Sequence, residues 1–365
     1  GIIFSETKCT SAAMFTKNQF CGESIPIGKA AVSDHVLQAI VVTSGVANVA
    51  TGAEGYENAN KIVKQLSREL EISPADILPS STGIIGPQLP IEKIIDGMAD
   101  ISESLSESNL LDFANAIMTT DNKLKIVSRK VGDASILGIA KGSGMIEPNM
   151  ATMLAFITCD ASISSSLLQK ALSEEVETSF NQITVDGDTS TNDMVLVLAN
   201  GCATSAEIQE GSQEYAQFVS MLHLVMTELA KMIAKDGEGA TKLIQVDVTG
   251  ATTPLAARMV AKSIVGSSLV KTAIFGEDAN WGRIIAAIGY AGVEIDPTAI
   301  DIELCGIPVM TDSSPLPFDS QQMQEVLKGS TIDIHVHLKM GSASGRAWGC
   351  DLSYDYVKIN ALYRT

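Results

Sequence analysis

Apolar residues recur along this chain with two periods, and each period predicts a kind of element. In "LQAIVVTSGVAN" a dense apolar run ends in small residues, the pattern of a buried strand entering a turn. From Ala53 to Glu71 the apolar positions Ala59, Ile62, Val63, Leu66 and Leu70 fall at three- and four-residue steps, predicting an amphipathic helix that Pro74 stops. "LPSSTGIIGPQLP" is turn-rich and precedes a short helix near Ile91 to Met98.

The second half repeats the alternation. A strand through Asp160 is followed by a helix near Ser164 to Phe180, with Leu168, Leu172, Val176 and Phe180 on one side. "MVLVLAN" is a buried strand, and Gln213 to Lys235 is a long amphipathic helix. In "TIDIHVHLKM" the residues Ile332, Ile334, Val336 and Leu338 alternate with polar ones, placing His335 and His337 on the wet face of a strand. The closing "VKINALYRT" alternates Val357, Ile359 and Ala361 with Lys358 and Asn360, which predicts a strand anchoring the C-terminus. The class is mixed α/β, without an internal repeat or a biased linker.

Composition narrows the partners. With 365 residues, 45% hydrophobic and 19% charged, the chain can bury a large core. The 43 acidic against 25 basic residues are dispersed and leave no basic stripe, which excludes nucleic acid as a partner. Six widely spaced cysteines without a CxxC pair are expected to be reduced thiols, and the four histidines have no metal-ligand spacing. No apolar run approaches the roughly 18 residues of a membrane span, and no leader pattern opens the chain, so a soluble cytoplasmic protein is expected. Asp186, Asp188, Ser190 and Asn192 imitate the start of a calcium loop, but Thr191 stands at the glycine position and Val197 at the bidentate glutamate position.

Candidate chemistry centres on "EPNMATMLAF", where Thr152 opens an apolar run behind the shaped loop "GIAKGSGMIEP". That loop is neither a P-loop nor a dinucleotide fingerprint. A threonine hydroxyl needs an adjacent base to act as a nucleophile. Cleavage of the Ala151-Thr152 bond would supply one, because the new α-amino group, with a pKa of roughly 8, lies beside the hydroxyl of the same residue.

"GIAKGSGMIEPNMATMLAFITCDA" resembles the signature of the glutamate N-acetyltransferase / ornithine acetyltransferase family, which cleaves itself before that threonine. The resemblance continues through "ANVATG", "SSTGIIG", "AIMTTD", "DGDTSTND", "KDGEGATKLI", "SLVKTAIFGEDANWGR" and "GCDLSYDYVKINALYRT", nearly the whole chain. Relatives carry further residues before the point matching Gly1, so the chain is expected to be shortened there.

The resemblance implies a layered α-β-β-α sandwich with a smaller C-terminal α/β part, divided into an α fragment (1–151) and a β fragment (152–365). It implies a ping-pong reaction of arginine biosynthesis, in which Thr152 takes acetyl from N-acetylornithine and passes it to glutamate. Thr82 and Gly83 form the oxyanion hole in this scheme. Thr119, Lys141, Thr152, Glu238, Asn360 and Thr365 bind substrate, with Thr120 the alternative to Thr119. No cofactor or metal is implied, whether acetyl-CoA is a second donor stays open, and two α and two β fragments associate. A related self-cleaving aminopeptidase and a non-catalytic binding protein of the same fold are the competing readings.

Overall fold

The computed structural model describes residues 1–147, 153–203 and 206–362. Its strands in chain order begin with β1 (Ile2–Phe15), β2 (Val36–Val46), β3 (Ile77–Ile84), β4 (Lys125–Val131), β5 (Ala134–Lys141), β6 (Leu154–Cys159), β7 (Ile183–Thr184) and β8 (Met194–Ala199). They continue with β9 (Leu243–Ala251), β10 (Asp301–Leu304), β11 (Ile307–Thr311), β12 (Ser314–Pro315), β13 (Thr331–His337) and β14 (Ala343–Cys350). Among the described residues these form two sheets, β3-β2-β1-β8-β6-β5-β4 and β12-β11-β10-β13-β9-β14-β7. Both are mixed: β2 with β3, β6 with β8, β9 with β13 and β7 with β14 run parallel, and the other neighbours antiparallel. The mixed α/β class therefore holds.

The first sheet is covered on both faces, which is why "MVLVLA" reads as an unbroken apolar run: all six residues of β8 are buried. On one face the helices Ser165–Thr178 and Gln213–Lys235 pack Leu168, Leu172, Val176, Leu222, Val225 and Leu229 against Ala155, Ile157, Val195 and Val197. Ser212 caps the longer helix, its hydroxyl accepting from Tyr215 N at 3.0 Å. That helix lies so close to β5 that a Cβ at Gly138 would stand 2.7 Å from Val225 and Leu229. On the other face Leu154, Phe156, Met194 and Leu196 meet Phe113 and Ile117, and Ile40 and Val42 of β2 join them. The helix Gly52–Glu69 sets Ile62, Val63 and Leu66 against Ala39, Val41 and Ile77, on the opposite side of β2. Each such side chain contributes about 1.5–3 kcal/mol on full burial.

The second sheet buries Ile332, Ile334 and Val336 beneath the helices Pro254–Gly266, Ser268–Phe275, Trp281–Gly289 and Ser320–Leu327. His335 and His337 face outward, as their alternation predicts. Among the described residues no helix is long and apolar enough to cross a membrane.

The first sheet draws β1 to β5 from before the Ala151-Thr152 bond and β6 and β8 from after it, with β6 and β8 between β5 and β1. The second sheet lies wholly after that bond.

The C-terminal strand expected from "VKINALYRT" is not formed. Tyr354–Leu362 is a helix, with Val357 and Leu362 exposed. Ser353 initiates it, its hydroxyl accepting from Asp355 N at 3.1 Å and Tyr356 N at 3.4 Å while donating to Gly239 O at 2.6 Å. Val357 and Ala361 are four residues apart, so part of the strand-like alternation is equally one face of a helix, and the serine cap decides between them.

Candidate active site

The site is assembled around the end of β5, neighbour of β6, where the Lys141 side chain reaches Thr82 of β3, a strand separated from them in the sheet by β2, β1 and β8. β3 carries Thr82 and Gly83, in register with Ser44 and Gly45 of the parallel β2. Gly83 has φ +130°, and a Cβ there would press on backbone, 2.6 Å from Val46 N and nearer still to Gly45 C. Position 83 therefore accepts glycine alone, which fixes the path of the strand beside Thr82. Asn192 clamps this region: its buried amide donates to Ala47 O at 2.6 Å and to Ser81 O at 2.9 Å.

Lys141, the last residue of β5, is the hub. It is 8% exposed, and its Nζ donates to Thr82 Oγ1 at 2.8 Å and to Thr119 Oγ1 at 3.1 Å. An ammonium only donates, so both hydroxyls are acceptors toward it and each keeps its own proton to give elsewhere. Of the adjacent threonines 119 and 120, Thr119 is the one bonded to Lys141. Across the sheet Lys141 pairs with Leu154, which pairs with Met194. Thr152 precedes that strand by two residues.

Glu238 forms the second half of the constellation. Its N–H donates to Ser143 O at 2.9 Å, and its Oε2 accepts from Asn360 Nδ2 at 2.8 Å. The carboxylate presses so closely on Gly144 that any Cβ there would overlap it. Thr82, Gly83, Thr119, Lys141, Glu238 and Asn360 thus converge on one end of the fold. Ala151, Thr152 and Thr365 lie outside the described residues.

Several acidic residues passed over in the sequence are built into the same region. Asp121 Oδ1 accepts from Gly142 N and Lys125 Nζ, both at 2.7 Å, and its Oδ2 accepts from Thr119 N at 3.2 Å. Lys125 Nζ also reaches Asp236 Oδ2 at 2.7 Å. Asp186 holds the turn after Lys141, accepting from Met145 N at 2.7 Å and Ile146 N at 2.8 Å. Asp121 ends "MTTD" and Asp193 ends "DGDTSTND", so the motifs themselves were the signal.

Burial pushes the Lys141 ammonium below its ordinary pKa, opposed by Asp121, Asp193 and Glu238 and assisted by the like charge of Lys125. Burial pushes Asp193 well above the usual carboxylate range, offset only in part by a hydrogen bond with Ser190 and by Lys141. For Asp121 burial acts upward, but the charges of Lys141 and Lys125 and the bonds from Lys125 and Gly142 outweigh it and hold the carboxyl low. Such a site can grip a carboxylate near Lys141 and an ammonium near Glu238, and it can present hydroxyl protons to a developing oxyanion.

A cavity of about 1680 Å³ lies elsewhere, between the start of β1, β2 and the helices of residues 91–116, and Lys141, Thr82 and Glu238 do not line it.

Known proteins share this arrangement of sequence. The arginine biosynthesis bifunctional protein ArgJ of Streptococcus mutans is 55% identical over all of this chain and 92% of its own length. That of Staphylococcus epidermidis is 51% identical with the same coverage. The crystal structure of the Bacillus halodurans protein of that name is 53% identical, with a TM-score of 0.55 over 56% of this chain and 97% of the solved one. The ArgJ family matches residues 1–365, the full length, and the chain belongs to that family.

Proposed function

We propose that this chain is a glutamate N-acetyltransferase of arginine biosynthesis that moves acetyl from N-acetylornithine to glutamate, acting in the cytoplasm and without a resident cofactor. The observation that carries the reading is the Lys141 ammonium shared between the Thr82 and Thr119 hydroxyls. It leaves the Thr82 proton free for an oxyanion and places a cation where a substrate carboxylate can bind.

Cleavage of the Ala151-Thr152 bond gives Thr152 a free α-amino group. That amine takes the hydroxyl proton as the Thr152 oxygen attacks the acetyl carbonyl of N-acetylornithine. The tetrahedral oxyanion collapses, the C–N bond breaks, the proton passes to the departing nitrogen, and ornithine leaves an acetyl ester on Thr152. The amine of glutamate attacks that ester, and the threonine hydroxyl is regenerated as N-acetylglutamate leaves. Both substrates carry an α-carboxylate, which suits Lys141, and the side-chain ammonium of N-acetylornithine suits Glu238, held by Asn360, while the α-nitrogen of each is the reacting atom.

Fragments 1–151 and 152–365 would remain together, since β6 and β8 of the second are hydrogen-bonded between β5 and β1 of the first. The solved Bacillus halodurans chain, spanning 56% of this one, is close in length to residues 152–365, which favours a two-fragment protein. Two copies of each fragment are proposed for the assembly, and Thr365, like Asn360, is proposed as a substrate contact.

The test is acetyl transfer from N-acetylornithine to glutamate by purified protein, repeated with acetyl-CoA as sole donor. Transfer in the first assay is expected, and the second decides whether acetyl-CoA is also a substrate. No transfer from N-acetylornithine would overturn the reading in favour of the aminopeptidase or binding-protein alternatives.

A further inference from the structure

Three segments of the site are remote in sequence yet share one buried ionic hub. Asp121 Oδ1 joins Gly142 N to Lys125 Nζ, and its Oδ2 takes the Thr119 amide. Lys125 Nζ carries the connection to Asp236 Oδ2, which also accepts from Asn122 N at 3.0 Å and Lys123 N at 3.1 Å. Ser143 completes it, its hydroxyl donating to Asp236 O at 2.8 Å while its carbonyl accepts the Glu238 amide. The side chain of Asp121 is fully buried and that of Lys125 1% exposed. Such a pair is a weak source of net stability, because desolvation offsets much of the attraction, and its retention calls for another reason.

We propose that Asp121 is a positioning residue for acetyl transfer, whose carboxylate fixes the Thr119 loop against Gly142 and sets Lys141 as a charged ammonium between Thr82 and Thr119. This rests on the reading of Lys141 as a substrate-binding group. The charged groups facing Lys141 come from four places: Asp121 before β4, Lys125 on β4, Asp193 before β8 and Glu238 before β9. Asp121 and Lys125 act on the ammonium in opposite senses, the first retaining its proton and the second expelling it.

The experiment is the pH profile of kcat/KM with N-acetylornithine, reading the alkaline limb where the Lys141 ammonium is lost. Asp121→Asn, nearly isosteric but uncharged, is expected to move that limb down by about one pH unit, and Lys125→Met to move it up. A packing role alone would not move the limb in opposite directions. An unmoved limb in folded Asp121→Asn protein, with folding checked by its thermal transition, overturns the inference. If that variant does not fold, Lys125→Met decides, an upward move supporting the inference and a static limb overturning it. Lys141→Met separates the two levels: full transfer in that variant removes Lys141 from the site, whereas lost transfer with unmoved limbs in the other variants removes only Asp121.

Discussion

Asn360 and Glu238, separated by 122 positions in the chain, are joined by a hydrogen bond of 2.8 Å from the Asn360 amide to the Glu238 carboxylate. The C-terminal helix is otherwise largely exposed, so this bond ties an open surface element to a buried acid. Deleting Asn360 to Thr365 is expected to leave cleavage at Thr152 intact while raising KM roughly tenfold or more, the effect of a lost bond to a charged group. Steady-state kinetics of the truncated protein check this, and an unchanged KM would mean that the tail takes no part in binding.

Gly144→Ala isolates Glu238 from the other side. The three atoms nearest the added methyl all belong to the Glu238 carboxylate, the far end of a flexible side chain, so that side chain gives way while the fold persists. KM should rise roughly tenfold, with a thermal transition close to that of the parent. Gly83→Ala should do the reverse: its methyl meets the backbone of Gly45 and Val46, so folding itself should suffer.

Thr82→Ala removes a hydroxyl that accepts from Lys141 and retains a proton to give. Turnover is expected to fall about a hundred- to a thousandfold, with a much smaller change in KM, because the donor acts chiefly as negative charge develops. A normal kcat would leave Thr82 a structural turn residue.

The helices Gly52–Glu69 and Gln213–Lys235 were legible from their 3.6-residue stripes, whereas Thr82, Gly83 and Lys141 were singled out only because their motifs resemble a family, each alone reading as a turn or a solvated charge. What joins Lys125 to Asp236 was not legible, since 111 positions separate them and each looks like an ordinary surface charge in the sequence. Asn192 was hidden for the same reason: its partners Ala47 and Ser81 lie 145 and 111 positions away. The C-terminal helix was misread because nine residues hold too few repeats to separate period 2 from period 3.6, and Ser353 settles the matter through a contact with Gly239.

Asp193 gives the fold a pH signature. Its folded pKa is raised above 3.8, so the native state holds the proton more tightly than the unfolded chain. Between those two values the native state binds more protons, and stability falls as pH rises through the window. Asp193→Asn should remove that slope, so that its thermal transition gains on the parent as pH increases from acid toward neutral. Parallel transition-versus-pH curves for the two proteins would contradict the assignment.

The most direct test of self-activated transfer through Thr152 is the intact mass of the purified protein, taken alone, after N-acetylornithine, and after glutamate is added. The expected result is two fragments, 1–151 and 152–365, with one acetyl group gained by the second fragment in N-acetylornithine and lost again with glutamate. A single uncut chain, or a cut protein that transfers acetyl without ever carrying it on the 152–365 fragment, would contradict it.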